Sequence, residues 1–199
     1  MTVQQRRGAY EKGLRRRQEI LDRAIEVFAE RGAEGTSLRA IGEAIGVSHA
    51  ALKHYFDSRE ELLIEVYRAA EERLTAGQEP GETTVVGIMT QAARRNHGVP
   101  GLVQLYSTLV ASALEDGHEP ARAFFSARFS HLRDFLAHRV AAEQEAGRIR
   151  PDIAPQAAAA LIIAASDGLQ TQWLLDPGVD IEESLTLLET LLSTSTSVP

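Results

Sequence analysis

The sequence predicts an all-α fold of about nine helices, in a chain whose length allows either one domain or one small and one medium domain. Apolar residues recur at the spacing of amphipathic helices, whereas the strict alternation typical of strands is absent. Segments rich in turn-forming residues interrupt this pattern at eight places and leave room for nine helices between them. These breaks fall at residues 32–35, 46, 57, 77–81, 97–101, 116–120, 147–155 and 176–178.

The first helix is predicted from Arg16 to Glu30, where Ile20 and Phe28 face inward at helical spacing. Residues 1–17 are strongly basic, with six Lys or Arg against the single acid Glu11. Such a tail can neutralise phosphates or enter a minor groove. A solvated, disordered tail has the same composition, so both interpretations stay open.

The segment from Ser37 to Leu63 predicts a helix-turn-helix. Ile41 and Ile45 lie four residues apart on one face of a short helix, and Gly46 can adopt the left-handed conformation that ends it. Ser48 is a good N-cap for the following helix. Helical hairpins that have a glycine in the turn but no DNA ligand share this pattern, so the motif is a hypothesis.

The second helix of this pair turns Leu52 and either Tyr55 or Phe56 inward. Gly42 keeps the crossing point with the preceding helix small. Glycine at this position lowers helix stability by about 0.5–1 kcal/mol relative to alanine, which does not change the interpretation.

Three longer helices are predicted further along the chain. Ser58 to Thr75 carries an apolar stripe and should bridge the two domains, and Pro120 to Ala146 would run about 40 Å. Ala154 to Leu175 has almost no polar face, so it should be buried on all sides. Together with the last helix it predicts a homodimer interface, although both helices could instead fill the core of one chain. The leucines of the last helix are Leu185, Leu187, Leu188, Leu191 and Leu192.

The net charge of −7 is unevenly distributed. Residues 1–56 carry ten Lys and Arg against seven Asp and Glu, whereas residues 57–199 carry eleven against twenty-one. Positive charge therefore gathers around the predicted helix-turn-helix. The chain has no cysteine, no run of about 18 apolar residues and no signal-peptide pattern, which predicts a cytoplasmic protein without membrane association.

Catalytic and metal-binding signatures are absent from the sequence. No GxxxxGK[ST], GxGxxG, HExxH or GxSxG occurs, so no enzyme and no cofactor are expected. Among the six histidines, His131 and His138 lie seven residues apart on one helix, which is too far for two ligands of one ordinary metal ion. They are interpreted as polar groups that line a cavity or face solvent.

Motifs on both sides of the hairpin resemble the tetracycline-repressor (TetR) family of transcriptional regulators. The match covers about residues 14–70, beyond which only length and helical character agree. In one departure, the family usually has an aromatic residue directly after the recognition-helix leucine, where this chain has Lys53. A lysine could supply a charge contact instead. The resembling residues are the helix Arg16 to Glu30, Gly32, Thr36, Ser37, Leu38, Leu52, His54, Tyr55, Phe56 and residues 58–63.

The resemblance implies a helix-turn-helix DNA-binding domain over residues 1–56 and a helical ligand-binding and dimerisation domain over residues 57–199. It further implies a homodimer joined through the last two helices, a palindromic duplex DNA operator and release by a small, moderately apolar inducer. The expected function is a ligand-responsive transcriptional regulator, most often a repressor in this family. The alternative is an all-helical ligand-binding or protein-interaction module without DNA binding.

Candidate DNA-binding residues lie on the hairpin and its flanks. The first turn of the recognition helix should face base edges in the major groove, and the other candidates should contact the phosphate backbone. The base-facing residues are His49, Ala50 and Ala51, and the backbone contacts are Thr36, Ser37, Arg39, Ser48, Lys53, His54, Tyr55 and Arg59.

Candidate inducer-binding residues are aromatic and polar side chains on the middle helices. Small-molecule pockets combine apolar walls with a few polar groups, but ordinary cores have the same composition. These candidates are Tyr106, Ser107, Phe125, Phe129, His131, Asp167, Gln170 and Trp173.

Overall fold

The structure is a computed structural model that describes residues 3–32, 37–76, 83–99 and 101–194, and side chains within these ranges except those of residues 3–12 and 14. Within these residues the chain forms nine helices and no strand, apart from one isolated bridge between Ile149 and Ser193. The predicted all-α fold is confirmed. The helices are α1 (Val3–Arg31), α2 (Leu38–Ile45), α3 (His49–Tyr55), α4 (Arg59–Thr75), α5 (Val85–His97), α6 (Leu102–Ser112), α7 (Glu119–Glu145), α8 (Pro155–Leu175) and α9 (Ile181–Leu192).

Serine caps define the starts of α2, α3 and α4. The hydroxyl oxygens of Ser37, Ser48 and Ser58 accept backbone N–H groups three residues ahead at 3.0, 3.1 and 3.0 Å. Each cap satisfies a donor that the first turn of a helix leaves without a partner. Gly46 ends α2 at φ 70°, a left-handed conformation in which a side chain would be strained. Local sequence therefore fixes the bounds of these helices.

The chain divides into two compact units. The first contains residues up to 76 together with 99–122, and the second contains residues 77–98 together with those from 123 onwards. Helix α6 and the first turn of α7 therefore belong to the same unit as the hairpin. The predicted division at residue 56 follows from the family resemblance rather than from compactness, and it stays a prediction.

The core of the first unit forms around α1. This helix packs against α2, α4 and α6, and it buries Ile20, Ala24 and Phe28 as its spacing predicts. Its N-terminus lies earlier than predicted, because the helix begins at Val3 and not near Arg16. The basic segment is therefore helical along its backbone from that residue onwards. The side chains of Arg6, Arg7 and Lys12 lie outside the described part of the structure.

The core of the second unit combines apolar side chains from α5, α7, α8 and α9. Glu143 of α7 is buried there, and its Oε1 accepts the backbone N–H of Val85 at 2.7 Å. This bond satisfies one donor of the first turn of α5. Arg139, one turn earlier on α7, donates to the carbonyl of Thr83 at 2.8 Å. Helix α7 thus holds the N-terminus of α5 in place.

Within a single chain, only one face of α8 and one face of α9 are buried. Ile162 and Leu185 are fully buried, whereas Leu161 is 60% exposed. One chain alone therefore does not bury α8 on all sides, and its burial against a second copy stays a prediction. The exposed leucines of α8 and α9 are Leu161, Leu174, Leu175, Leu187 and Leu191. None of the described helices has the length and apolar character needed to cross a membrane.

Candidate functional site

Helices α2 and α3 cross closely because glycine occupies position 42. Ile41 and Leu52 are fully buried in this hairpin. A Cβ added to Gly42 would lie 2.5 Å from the carbonyl oxygen of Val47 and 3.2 Å from Cδ1 of Leu52. The carbonyl is a backbone atom, so the turn would have to shift to admit a side chain. The close crossing of α2 and α3 in this chain therefore depends on glycine at position 42.

Arg17 of α1 holds the C-terminal end of α3. Phe56 caps α3 and is buried, and the guanidinium carbon of Arg17 lies 5.1 Å from its ring centroid. Arg17 also donates to Glu65 of α4 over 2.5 Å, and Arg68 reaches the other carboxylate oxygen at 2.6 Å. These contacts fix the hairpin to α1 and α4. Sequence reasoning missed them, because Arg17 and Glu65 are 48 residues apart and no local pattern joins them.

Most of the predicted DNA-binding residues are exposed on α2, α3 and their caps. We call this exposed set the reading face. An open groove of about 670 Å³ has Arg39, Ser48 and His49 among its lining residues. Ala51, Tyr55 and Arg59 are half-buried, and Thr36 lies outside the described residues. The reading face consists of Ser37, Arg39, Ser48, His49, Ala50, Lys53 and His54.

Each of the two serines of the reading face can cap a helix and bind a phosphate at the same time. Each uses an oxygen lone pair to accept a backbone N–H, as described above. A hydroxyl has a second lone pair and one O–H donor. The donor of Ser37 and that of Ser48 can therefore point to a phosphate oxygen without loss of the cap. A phosphate held at such a position also lies at the favourable end of a helix dipole.

Tyr55 and Arg59 are half-buried, unlike the exposed residues of the reading face. The ring of Tyr55 lies between His54 and Phe56, with centroids 5.4 and 6.4 Å apart. Phe56 is therefore the fully buried aromatic of the two that the sequence offered, and Tyr55 packs at the edge. Burial lowers the pKa of Arg59, but a guanidinium stays charged at neutral pH. Arg59 thus keeps the charge that a phosphate contact requires.

The predicted inducer-binding residues are divided between the two units. Tyr106 and Ser107 of α6 belong to the first unit, where the ring of Tyr106 packs at 5.4 Å against the buried Tyr67. The other six belong to the second unit. Among them Phe125 is buried and lies 6.3 Å from Phe129, measured between ring centroids. The side chain of His131 is exposed, as is that of His138, so both face solvent.

Gln170 and Trp173 of α8 contact the end of α5. The Oε1 of Gln170 accepts from Asn96 at 3.2 Å, and its Nε2 donates to the carbonyl of Ser166 at 3.3 Å. The indole of Trp173 stacks on the imidazole of His97 with centroids 4.0 Å apart and planes 17° apart. Sequence reasoning placed His97 in a loop and did not name Asn96, since only the fold brings them to α8.

A polar cavity of about 360 Å³ adjoins this stack. Its rim carries an ion pair between Arg94 and Glu182, and Trp173 and His97 form part of its wall. Burial lowers the pKa of His97, and the nearby Glu182 offsets this effect in part. In the described part of the chain, no cluster of three or more His, Cys, Asp or Glu side chains could hold a metal ion.

Two family models match separate segments of the chain. Residues 20–66 match the family model for bacterial regulatory proteins of the tetR family. Residues 104–196 match the model for the C-terminal part of BetI-type transcriptional repressors. The chain belongs to the TetR family. The prediction of a DNA-binding transcriptional regulator rather than an enzyme is thereby confirmed.

Two curated relatives of this TetR-family chain are named transcriptional repressors. The repressor AcnR of Corynebacterium efficiens is 26% identical over 90% of this chain and 94% of its own length. The repressor KstR2 of Rhodococcus jostii is 45% identical, but over only 27% of this chain and 26% of its own length. The identity to KstR2 is therefore higher than the identity to AcnR, but it extends over a much shorter segment.

Solved structures confirm the TetR fold. NalD of Pseudomonas aeruginosa, described as the secondary repressor of a multidrug efflux pump, superimposes with a TM-score of 0.70 at 22% identity. The match covers 93% of this chain and 99% of NalD. A regulator structure from Saccharomonospora viridis in complex with choline has a TM-score of 0.71 at 19% identity, over 90% of this chain and 98% of that one.

Two positions distinguish this chain from the usual TetR pattern. Lys53 is exposed on α3, so its ammonium group can reach a phosphate where the family usually places an aromatic residue. Gly42 stands where alanine is commoner in the family, and the close approach of Val47 makes the glycine a requirement of this particular turn.

Proposed function

We propose that this TetR-family regulator is a repressor that binds a palindromic DNA operator as a homodimer and leaves it when a small, moderately apolar inducer binds. The observation that carries the proposal is the reading face, a mostly polar set of exposed residues on a short hairpin that Arg17 holds against α1 and α4. The hairpin can therefore enter a major groove as a rigid body. A regulator of this kind acts in the cytoplasm, where the bacterial chromosome lies.

In this proposal the first turn of α3 reads base edges. His49 can hydrogen-bond to guanine, and Ala50 and Ala51 can contact thymine methyl groups. Phosphates bind to residues on either side of this turn and fix the position of the helix without adding sequence information. These phosphate contacts come from Thr36, Ser37, Arg39, Ser48, Lys53, His54, Tyr55 and Arg59.

The homodimer in this proposal forms through α8 and α9. Leu187 and Leu191 of α9 are 59% and 63% exposed, and Leu161 of α8 adds to the same kind of surface. Full burial of a leucine side chain contributes about 1.5–3 kcal/mol, so several leucines buried against a second copy would favour association. Helix-turn-helix proteins commonly read two half-sites, and two identical subunits place two reading faces on one duplex.

The inducer in this proposal binds among the middle helices. Tyr106, Ser107, Phe125, Phe129, His131, Asp167, Gln170 and Trp173 are the candidate contacts, with Gln170 and Trp173 supported by their position beside the polar cavity. The choline complex of the Saccharomonospora viridis regulator is an example of a small molecule held by this fold. The chemical identity of the inducer is not part of the proposal.

Selection of bound fragments from random duplex DNA tests the proposal. We expect enrichment of a palindrome, and a duplex of that sequence should bind one dimer. Lys53→Ala should weaken binding to all sequences and reduce the salt slope by about one unit per bound lysine. His49→Ala should change the preferred sequence. Arg133→Ala, at an exposed position of α7, is the control that removes one positive charge from the second unit.

Two outcomes would contradict the proposal. Failure to enrich any sequence, together with no binding of duplex DNA at low salt, would favour the alternative of a helical ligand-binding module. An unchanged sequence preference in His49→Ala would leave DNA binding in place but remove His49 from base readout.

A further inference from the structure

An acidic residue, Glu43, lies within the surface proposed to contact DNA. It occupies α2 one turn after Arg39, and both line the open groove that also contains Ser48 and His49. The side chain of Glu43 is 64% exposed. A carboxylate at this position repels phosphate, so a DNA-binding surface does not require it.

Glu43 is bonded to Arg39. The Nε of Arg39 donates to Oε1 of Glu43 at 2.9 Å, and this hydrogen bond raises the pKa of Arg39. Both side chains are more than half exposed. Surface ion pairs of this kind contribute little to stability, and an arginine that precedes a glutamate on a helix is the weaker of the two orders. The pair therefore contributes little to the stability of α2.

We infer that Glu43 limits the affinity of the reading face for DNA, because its carboxylate occupies the Nε of Arg39 and repels a phosphate that approaches this guanidinium. This inference rests on the proposed function, since Arg39 is a phosphate contact only if the hairpin binds DNA. In the complex the carboxylate lies beside the phosphate backbone, where it needs a cation from solution. Glu43 thus offsets part of the counterion release that drives binding.

The effect of Glu43 is to weaken phosphate contacts, and it leaves base contacts unchanged. Phosphate contacts hold all sequences alike, whereas base contacts distinguish them. A weaker phosphate contact lowers affinity for operator and random DNA by a similar factor. A larger share of the remaining affinity then comes from base readout, and the chain spends less time on sites that it does not regulate.

A double-mutant cycle tests this inference. Glu43→Gln, Arg39→Gln and the double variant are compared with the unmodified chain on a mixed-sequence duplex about three helical turns long. Glu43→Gln should tighten binding about threefold per reading face, or about tenfold for a dimer. In the Arg39→Gln background the same substitution should tighten binding of the dimer by no more than about threefold in total, compared with about tenfold in the unmodified background. The salt slope should become steeper by up to about one unit per reading face.

Glu26→Gln is the matched control, because Glu26 is also an exposed carboxylate paired with an arginine on its own helix, Arg23 of α1. It makes the same change in net charge and should leave DNA affinity within about twofold. Thermal unfolding of each variant checks that α2 still forms.

Several results would overturn the inference while leaving the proposed function intact. Equal tightening by Glu43→Gln in both backgrounds would show a general charge effect without the pair. Unchanged or weaker binding by Glu43→Gln would show that the carboxylate does not limit affinity. An Arg39→Gln variant that binds DNA normally would remove Arg39 from the interface. Failure of the unmodified chain to bind duplex DNA would instead contradict the proposed function itself.

Discussion

The reading face of α2 and α3 and the exposed leucines of α8 and α9 are both open to solvent, but they differ in chemistry and support. The reading face is polar and well hydrated when alone, and it lies on a hairpin fixed by serine caps, Gly42 and the contacts of Arg17. The leucines are apolar, so water disfavours them until another surface covers them. A polar surface stays solvated when its partner is absent, whereas an apolar surface favours permanent association.

This difference indicates how the two interfaces should respond to change. Binding by the reading face depends on charge and geometry, so it should be sensitive to salt and to small shifts of the backbone. Association by the exposed leucines depends on apolar area, so it should be sensitive to a buried charge and insensitive to salt. The following predictions run from the largest expected effect to the smallest.

Replacement of both Leu187 and Leu191 by Glu should abolish the proposed homodimer. Each subunit would bury two carboxylates in an apolar interface, and we expect the dimer dissociation constant to rise by about a thousandfold or more. Sedimentation at micromolar concentration measures the change, and operator affinity should fall with it. The matched control is Leu114→Glu, since Leu114 is 81% exposed but lies in the turn between α6 and α7. A double variant that remains dimeric would show that α9 does not form the interface.

Arg17→Gln should loosen the hairpin. The substitution removes the cation above the ring of Phe56 and leaves Glu65, whose side chain is only 13% exposed, with one arginine in place of two. We expect a loss of about 1–3 kcal/mol in the free energy of unfolding, measured by urea titration. Arg16→Gln is the control, because Arg16 pairs with Glu19 at an exposed site and should change stability by less than about 0.5 kcal/mol. Equal effects of the two substitutions would contradict the anchoring role.

Gly42→Ala and Gly13→Ala should have opposite effects. Alanine favours a helix over glycine by about 0.5–1 kcal/mol, and a Cβ at Gly13 meets no atom within 4 Å, so Gly13→Ala should stabilise the chain. At Gly42 the new Cβ would meet the carbonyl of Val47 at 2.5 Å, and we expect a net loss of about 1–2 kcal/mol. Thermal unfolding of both variants measures the difference. A stabilised Gly42→Ala would show that the turn adapts to alanine as it does in other members of the family.

Local signals in the sequence were sufficient to predict most of the helices. The serine cap and apolar stripe of α4 predicted Ser58 to Thr75, and the structure has Arg59–Thr75 with Ser58 as the cap. The start of α1 was predicted too late, because a run of basic residues was interpreted as a tail although arginine and lysine are good helix formers. Charge composition alone does not distinguish a solvated helix from a disordered segment.

The candidate site was predicted less completely than the fold. The exposed residues of α2 and α3 follow from the motif, but their support by Arg17 and Glu65 depends on side chains that are distant in sequence. The same holds for the stack of His97 on Trp173. Periodicity also could not decide whether α8 is covered by its own chain or by a second copy, since both environments require the same apolar residues.

The smallest predicted effect concerns His97, for which two physical effects compete. Burial beside Trp173 disfavours the imidazolium and lowers its pKa, whereas Glu182 and the indole face favour the cation. Burial has the larger effect, so the unfolded chain binds a proton more readily than the folded one. The stability contributed by His97 is therefore fully present above a pH of about 6.5, the ordinary pKa of histidine in the unfolded chain, and it is lost as the pH falls from there through the lower pKa of the folded chain.

Trp173 is the only tryptophan of the chain, so its fluorescence reports on this stack directly. We expect the emission of the folded protein to titrate with a midpoint below about 6.5, the ordinary value for histidine. His97→Phe keeps an aromatic ring against the indole and should abolish the titration, whereas His138→Gln, at an exposed histidine of α7, should leave it unchanged. A midpoint above 6.5 would mean that attraction by Glu182 and the indole outweighs burial, and that the second unit gains stability in acid.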